Sequence, residues 1–331
     1  MEKLYFDTCC SGSREQQKKK DSISLRTGNK RRLVCCLVLL LIMLTGCEIA
    51  GYGQNNTIEI NGHKRRLKSD LRTYLLLGID TEGSLQEEKQ PGMGGQSDAI
   101  YLLVCDMKNK SSRVLGIPRD TMTEIRVFLP SGKDNGVSDD HLTLQYAFGN
   151  GKEQSCLLME EAVSKLLFNI PIDGYLAVNL GAVPDIIEAL GGVEVVVPDD
   201  SARREDHSFV KGAVVTLDRT NVKKFLRFRD TDVSQSAITR MERHKAFFRG
   251  CLKRLRTILE ENPAELLDLY HKCSSHFLTD ITPEDCVKLA GLEFNDEIDI
   301  IPGEKKTGEL YDEYYVNQQA LGELVEEIFC R

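Results

Sequence analysis

Gln96-Ser97-Asp98-Ala99-Ile100-Tyr101-Leu102-Leu103-Val104 and, after a short polar stretch, Arg113-Val114-Leu115-Gly116-Ile117-Pro118-Arg119-Asp120 decide how this chain folds. Both runs read as strands, and the polar residues from Asp106 to Ser112 read as the turn between them. Asp98 opens the first strand and Arg119 closes the second. An antiparallel pairing therefore sets a carboxylate and a guanidinium on the same sheet edge. A carboxylate suits a hard divalent cation and a guanidinium suits phosphate oxygens, so phosphate chemistry is the first expectation.

Working outward, Tyr74-Leu75-Leu76-Leu77-Gly78-Ile79 is apolar without alternation and ends at Asp80. A strand apolar on both sides is buried on both sides. The expected architecture is α/β: a mixed central sheet with helices on both faces. Thr81 to Gly95 is a loop. Glu153–Leu167 and Pro184–Leu190 carry helical spacing, and Val193–Val197 is a β-branched strand stopped by Pro198. Ser201–Ser208 reads as an exposed loop and Arg219–Leu226 as a helix. Arg240 opens a long amphipathic helix with Phe247, Phe248, Cys251, Leu252, Leu255, Ile258 and Leu259 in one stripe. Helices over Pro263–Tyr270, Pro283–Leu292 and Val316–Phe329 and a strand over Ile298–Ile301 complete the body. No repeat or linker divides 70–331, which reads as one domain.

The chain has 331 residues, 41% hydrophobic and 28% charged, with a net charge of −8. That is a globular composition, and its acidity excludes nucleic acid as the main partner, since a phosphate backbone selects for a basic surface. The first 46 residues run the other way, with nine of the 43 Lys/Arg and only four of the 51 Asp/Glu. Residues 1–32 are polar and end in Lys30-Arg31-Arg32, residues 33–50 are apolar, and 51–69 read as a linker. A basic region before an apolar one is the pattern of an export signal. The run Leu33–Leu44 is shorter than the roughly 20 residues that span a bilayer. Leu44-Thr45-Gly46-Cys47 resembles a lipobox, with an uncleaved single-pass anchor as the alternative. Either places the body outside a membrane and tethered to it. Of eleven cysteines none form a Cys-x-x-Cys pair, which points to buried thiols rather than a zinc or redox site.

Four features carry chemistry. Asp80 and Asp98 end and begin neighbouring strands, and two carboxylates suit Mg²⁺ completed by phosphate and water. Arg119 follows a strand and a proline. Arg227 and Arg229 share one face if Arg227-Phe228-Arg229 is extended. Arg240 and Arg243 sit at i,i+3 with His244 beside them, on what reads as the first turn of a helix, where cations oppose the dipole unless an anion sits there. Each alone is an ordinary surface group, and it is their sequential order that informs. Gly-x-Ser-x-Gly, a Walker loop and His-Glu-x-x-His are all missing.

In that order the chain resembles the LytR-CpsA-Psr proteins. The motifs are Leu75-Leu76-Leu77-Gly78-Ile79-Asp80, Ser97-Asp98-Ala99-Ile100, Gly116-Ile117-Pro118-Arg119-Asp120, Tyr146-Ala147-Phe148-Gly149, Ala189-Leu190-Gly191-Gly192-Val193-Glu194-Val195, Leu226-Arg227-Phe228-Arg229 and Arg240-Met241-Glu242-Arg243. The resemblance implies an extracytoplasmic transferase of a Gram-positive-type bacterium. Such an enzyme moves a teichoic acid, capsular or other wall polysaccharide from a polyprenyl-pyrophosphate carrier to peptidoglycan. It further implies Mg²⁺ on Asp80 and Asp98. Arg119, Arg227, Arg229, Arg240 and Arg243 would grip pyrophosphate, with Asp98, Arg119, Arg229 and Arg240 catalytic. An apolar interior pocket would hold the lipid. Gln96, Ala237 and His244 depart from the family's usual Arg, acidic residue and Gln. Those departures keep open a pyrophosphate hydrolase and a non-enzymatic lipid-binding regulator.

Overall fold

The computed structural model describes residues 57–228, 236–261, 274–282, 285, 288–289, 292–308 and 311–331. It opens with a hairpin, β1 (Thr57–Ile60) and β2 (His63–Arg66), turned by Asn61-Gly62. Both turn residues take positive φ, 50° and 79°, the geometry that Asn-Gly reaches at low cost in a two-residue turn. The expected linker over 51–69 is thus corrected from residue 57 onward. Ile58 and Ile60 belong to the main core, and Arg65 pairs with Glu326. The run His63-Lys64-Arg65-Arg66 hides the hairpin in sequence because nothing in β2 is apolar.

Next come β3 (Leu71–Ile79), β4 (Ser97–Asp106), β5 (Ser111–Ile117), the hairpin β6 (Met122–Phe128) and β7 (Asp134–His141), α1 (Leu144–Ala147) and α2 (Glu153–Leu166). After them follow β8 (Gly174–Asn179), α3 (Ala182–Ala189), the pair β9 (Val193–Val196) and β10 (Val214–Leu217), α4 (Val222–Arg227) and α5 (Ser236–Glu261). The chain closes with β11 (Phe277–Thr279), β12 (Glu293–Ile300), the hairpin β13 (Gly303–Thr307) and β14 (Asp312–Val316), and α6 (Gln318–Phe329).

Six strands form the central sheet in the order β11-β8-β3-β4-β5-β12. β3–β4, β4–β5 and β8–β11 are antiparallel, while β3–β8 and β5–β12 are parallel. This is the mixed sheet expected from the apolar runs, with helices on both faces. On one face Leu75, Leu77, Ile100, Leu102, Leu115 and Ile117 pack against α2 (Met159, Val163) and α6 (Leu321, Val325). On the other, Tyr74, Leu103, Cys105 and Val114 are buried, and Phe248 of α5 packs against them. A satellite core joins α3, β9, β10, α4 and α5 through Ile187, Val195, Leu217, Phe225 and Ile258.

Several boundaries differ from expectation. Asp218 accepts from the amide of Thr220 at 2.7 Å and of Asn221 at 3.2 Å, a side-chain turn that delays α4 to Val222. Ser201–Arg204 is a 3₁₀ turn with Ala202 buried rather than an exposed loop. α5 starts at Ser236, so Arg240 is not on its first turn and the dipole reason for an anion there falls away. The helices expected at 263–270 and 283–292 lie outside the described residues, apart from a few positions of the second. Cys105, Cys156 and Cys330 are buried free thiols, and burial pushes Cys105 up to about 12.

Candidate active site

The site starts from an irregularity in the ladder. Gly78 pairs with Ala99 and Ile79 with Ser97, so Asp98 is the extra residue of a β-bulge. A bulged residue leaves the pleat's alternation and its side chain is re-aimed. Beside it, a Cβ on Gly78 would lie 2.9 Å from the Cβ of Ala99, so only this small pair fits. Asp80 follows β3 and is exposed. Its Oδ1 accepts from the Gln96 amide at 2.6 Å, while its own amide donates to Gln96 O at 3.0 Å. Gly95 holds φ +84° there, and any Cβ would meet Asp80 Oδ1 at 2.9 Å.

Asp98 receives a guanidinium from each side. Arg119 Nη1 donates to its Oδ1 and Arg240 Nη1 to its Oδ2, the latter at 3.1 Å. Arg240 Nη2 also reaches the Asp98 carbonyl at 3.4 Å, and the Arg240 side chain is only 8% exposed. Arg119 is braced by Gln96, whose Oε1 accepts from Nη2 at 2.9 Å, and by Asp120 at 3.3 Å. The turn carrying Arg119 is itself tied, because the Thr121 hydroxyl donates to Pro118 O at 2.6 Å and the Thr143 amide to Arg119 O at 3.1 Å. Two guanidiniums thus converge on one carboxylate, with Asp120 balancing the second charge of the group. Planar guanidinium forks match the geometry of an anion with several oxygens.

A cleft opens among these groups. Asp98, Arg119 and Arg240 form its charged side, and Ala99, Tyr101 and Met241 face it from the apolar side. Its enclosed volume is about 10 Å³, room for about one water. The sheet face running from the cleft is half covered: Leu76, Gly78, Ala99, Tyr101, Leu176 and Val178 are all partly exposed. These residues sit opposite one another across β8, β3 and β4.

Arg227 and Arg243 do not join the cluster. Arg227 Nη1 reaches Glu82 at 3.5 Å and the side chain is 58% exposed, on the side of the loop that follows Asp80. Arg243 is 1% exposed and spent on the end of α4. Its Nε donates to Phe225 O at 2.8 Å, Nη2 donates to Phe228 O, and Nη1 meets Ser201 Oγ and, at 3.3 Å, Asp199. These are carbonyls that a helix end leaves without intrahelical partners. Arg243 as a pyrophosphate ligand is therefore corrected to Arg243 as a helix clamp. Burial holds its guanidinium below the ordinary range. Arg229 lies outside the described residues, as does the side chain of Ala237.

His244 and Gln96 went unassigned among the catalytic and binding residues and both touch this region. His244 Nδ1 is 3.2 Å from the Tyr101 hydroxyl and Nε2 is 3.0 Å from Leu226 O. Only the departures from the family pattern at 96 and 244 signalled them.

The fit of Mg²⁺ follows from donor chemistry. Among the described residues no three or more His, Cys, Asp or Glu gather as metal ligands. Asp80 and Asp98 are two hard carboxylates from adjoining strand ends, which suits an ion that keeps most of its octahedral shell as water and phosphate oxygen. They do not make a closed protein cage, and both Asp98 oxygens already accept from guanidiniums, so an ion held here would need most of its shell from water and phosphate oxygen.

The sequence model of the LytR_cpsA_psr family matches residues 47–328. A polyisoprenyl-teichoic acid–peptidoglycan teichoic acid transferase TagU of Bacillus anthracis is 32% identical over 201 residues, 61% of this chain and 57% of that protein. The corresponding TagV of Bacillus subtilis (strain 168) is 27% identical over 202 residues, 60% of this chain and 48% of that one. The chain thus spans about half the length of the curated relatives it matches. The solved structure of TagT bound to LI-WTA superposes with a TM-score of 0.59 at 21% identity, covering 82% of this chain and 97% of that one. With the ordered motifs, the bulged Asp98 and the two arginines upon it, the match over most of its length makes this chain a member of the LytR_cpsA_psr family.

Proposed function

We propose that this protein transfers a wall glycopolymer, of the teichoic acid or capsular type, from a polyprenyl-pyrophosphate carrier to a peptidoglycan hydroxyl. The observation that carries the reading is the junction of two unlike surfaces. The Asp98–Arg119–Arg240 cluster opens onto a half-covered apolar sheet face. A charged mouth continuous with an apolar floor matches a lipid that carries a pyrophosphate head. The names of the relatives, which act on polyisoprenyl-linked teichoic acid and peptidoglycan, support the same substrate class.

In this reading Arg119 and Arg240 bind the pyrophosphate oxygens and neutralise the charge that builds on the departing polyprenyl phosphate. Asp98 orients both guanidiniums, and Gln96 and Asp120 keep Arg119 from swinging out. Arg227, on release from Glu82, and Arg229 would add to the grip on the pyrophosphate. The acceptor hydroxyl oxygen attacks the sugar-proximal phosphorus, and the bond to polyprenyl phosphate breaks. The hydroxyl proton leaves to solvent, giving a phosphodiester to peptidoglycan. Asp80 and Asp98 would hold Mg²⁺, which when bound adds Lewis-acid charge neutralisation at the phosphates. Residues 33–50, with Cys47 as a lipidation site or as part of a single-pass anchor, would tether the protein to the outer face of the membrane. Among the described residues no helix is long and apolar enough to cross one.

The test is reconstitution with a lipid-linked wall polymer and peptidoglycan. Formation of a polymer–peptidoglycan adduct that is lost in Asp98→Ala supports the reading. Free polymer or inorganic phosphate without adduct identifies water as the acceptor and a hydrolase. Binding without turnover identifies a lipid-binding regulator.

A further inference from the structure

Tyr101 sits in the middle of the half-covered sheet face, opposite Leu76 on β3 and Gly116 on β5, and it lines the cleft beside Arg240. Its hydroxyl lies 3.2 Å from His244 Nδ1, and His244 Nε2 lies 3.0 Å from Leu226 O. A carbonyl only accepts, so Nε2 carries the proton and Nδ1 keeps its lone pair. The Tyr101 hydroxyl is then the donor. One polar chain runs from the sheet, through α5, to the last turn of α4, one residue before Arg227. Burial together with Arg240 and Arg243 pushes His244 down to about 3, so it stays neutral in this role. Burial raises the Tyr101 hydroxyl, which keeps its proton. The groups facing the imidazole are Tyr101 from β4, the Leu226 carbonyl from α4, and Arg240 and Arg243 from its own helix.

Because the hydroxyl is spent on His244, what Tyr101 presents to the cleft is hydrocarbon. Gly116 adds to this: a Cβ there would lie 2.9 Å from Met241 Cε and 3.5 Å from the Tyr101 ring, so both side chains lie close over bare backbone. We propose that His244 is a positioning residue that pins the Tyr101 ring as the wall against which the isoprenoid segment next to the pyrophosphate packs. The inference rests on the prenyl-pyrophosphate reading above and assigns its lipid-proximal contact.

Calorimetry on the full chain, with farnesyl pyrophosphate and inorganic pyrophosphate as probes, tests it. His244→Leu should weaken farnesyl pyrophosphate about tenfold and inorganic pyrophosphate by no more than about twofold, since an apolar contact and not the anion site is lost. His244→Gln should recover most of that loss. Tyr101→Phe keeps the ring and removes the donor, and should give an intermediate loss of about threefold. Nitrogen-15 imidazole spectra give an independent reading. His244 should remain the Nε2-protonated tautomer from about pH 5 to pH 8, and its Nδ1 resonance should move in Tyr101→Phe. Equal losses for both probes, no loss in His244→Leu, or a His244 that titrates in that range would overturn the proposal. A wild-type chain that binds inorganic pyrophosphate but gains nothing from the farnesyl tail would sink the lipid-carrier reading itself, even with the imidazole signature in place.

Discussion

The two faces of the central sheet come from the same strands and have different fates. Leu75, Leu102 and Leu115 lie side by side on one face and each is 0% exposed. One residue along, Leu76 and Tyr101 on the other face are half covered, as are Leu176 and Val178 on β8. Strand composition does not separate the faces, since period two feeds apolar residues to both. The covering elements do. α2 and α6 lay Met159, Val163, Leu321 and Val325 against the first face. On the second, α5 reaches Asp98 of β4 through Arg240, Gly116 of β5 through Met241 and Ile298 of β12 through Lys245, and Phe248 covers the far end of the face around Tyr74, Leu103, Cys105 and Val114. An apolar surface left half covered beside a charged cluster is the feature on which the proposed lipid-carrier reading rests, since exposed apolar area is a cost that a ligand would remove.

Each face can be attacked separately. The largest effect falls at the mouth of the open face. Asp98→Ala should lower transfer by about 10²–10³-fold, the scale of losing a preorganised electrostatic partner, while circular dichroism shows the fold retained. A variant with near wild-type turnover would detach the open face from the chemistry. On the closed face, Leu102→Ala should cost about 3 kcal/mol in denaturant unfolding and leave the affinity for prenyl pyrophosphate unchanged.

The third effect concerns the outer side of the closed face. Glu160 of α2 has an Oε1 that is buried without a hydrogen-bond partner, and burial, with Asp280 and Asp173 adding repulsion, raises it to about 8. The unfolded chain releases that proton near the ordinary carboxylate value, so stability is full below it and falls as pH rises toward 8. Glu160→Gln should therefore raise stability at pH 8 by about 2 kcal/mol and flatten the decline. A melting temperature that falls from pH 5 to pH 8 as steeply as in wild type would refute it. The smallest effect is Leu76→Ala, which on the half-covered row should cost about 1 kcal/mol or less while weakening prenyl-pyrophosphate binding. A cost matching that of Leu102→Ala would erase the distinction between the faces.

Much of the frame was readable from residue types. The apolar run 74–79 and the paired runs 96–104 and 113–120 placed three adjacent strands, and their antiparallel order brought Asp98 and Arg119 together. The bulge that aims Asp98 was not readable, because it is one residue of mismatch between two strands and neither strand carries it alone. Arg240 and Arg243 sit at i,i+3 on one helix, and only the position of α4 decides that Arg243 clamps helix carbonyls while Arg240 reaches Asp98. The Asn61-Gly62 hairpin had a local signal, but its second strand has no apolar residue to support it.

By itself the sequence determined what is local or cumulative: strand and helix identity, the α/β layering, and the charged residues offered at strand ends. These follow from periodicity and side-chain chemistry, which act within a few residues. Tertiary structure alone decided which arginines share a carboxylate, which one is buried as a clamp, and which face of the sheet stays half open. Those outcomes depend on how separate elements pack, and packing joins groups more than a hundred residues apart, such as Asp98 and Arg240.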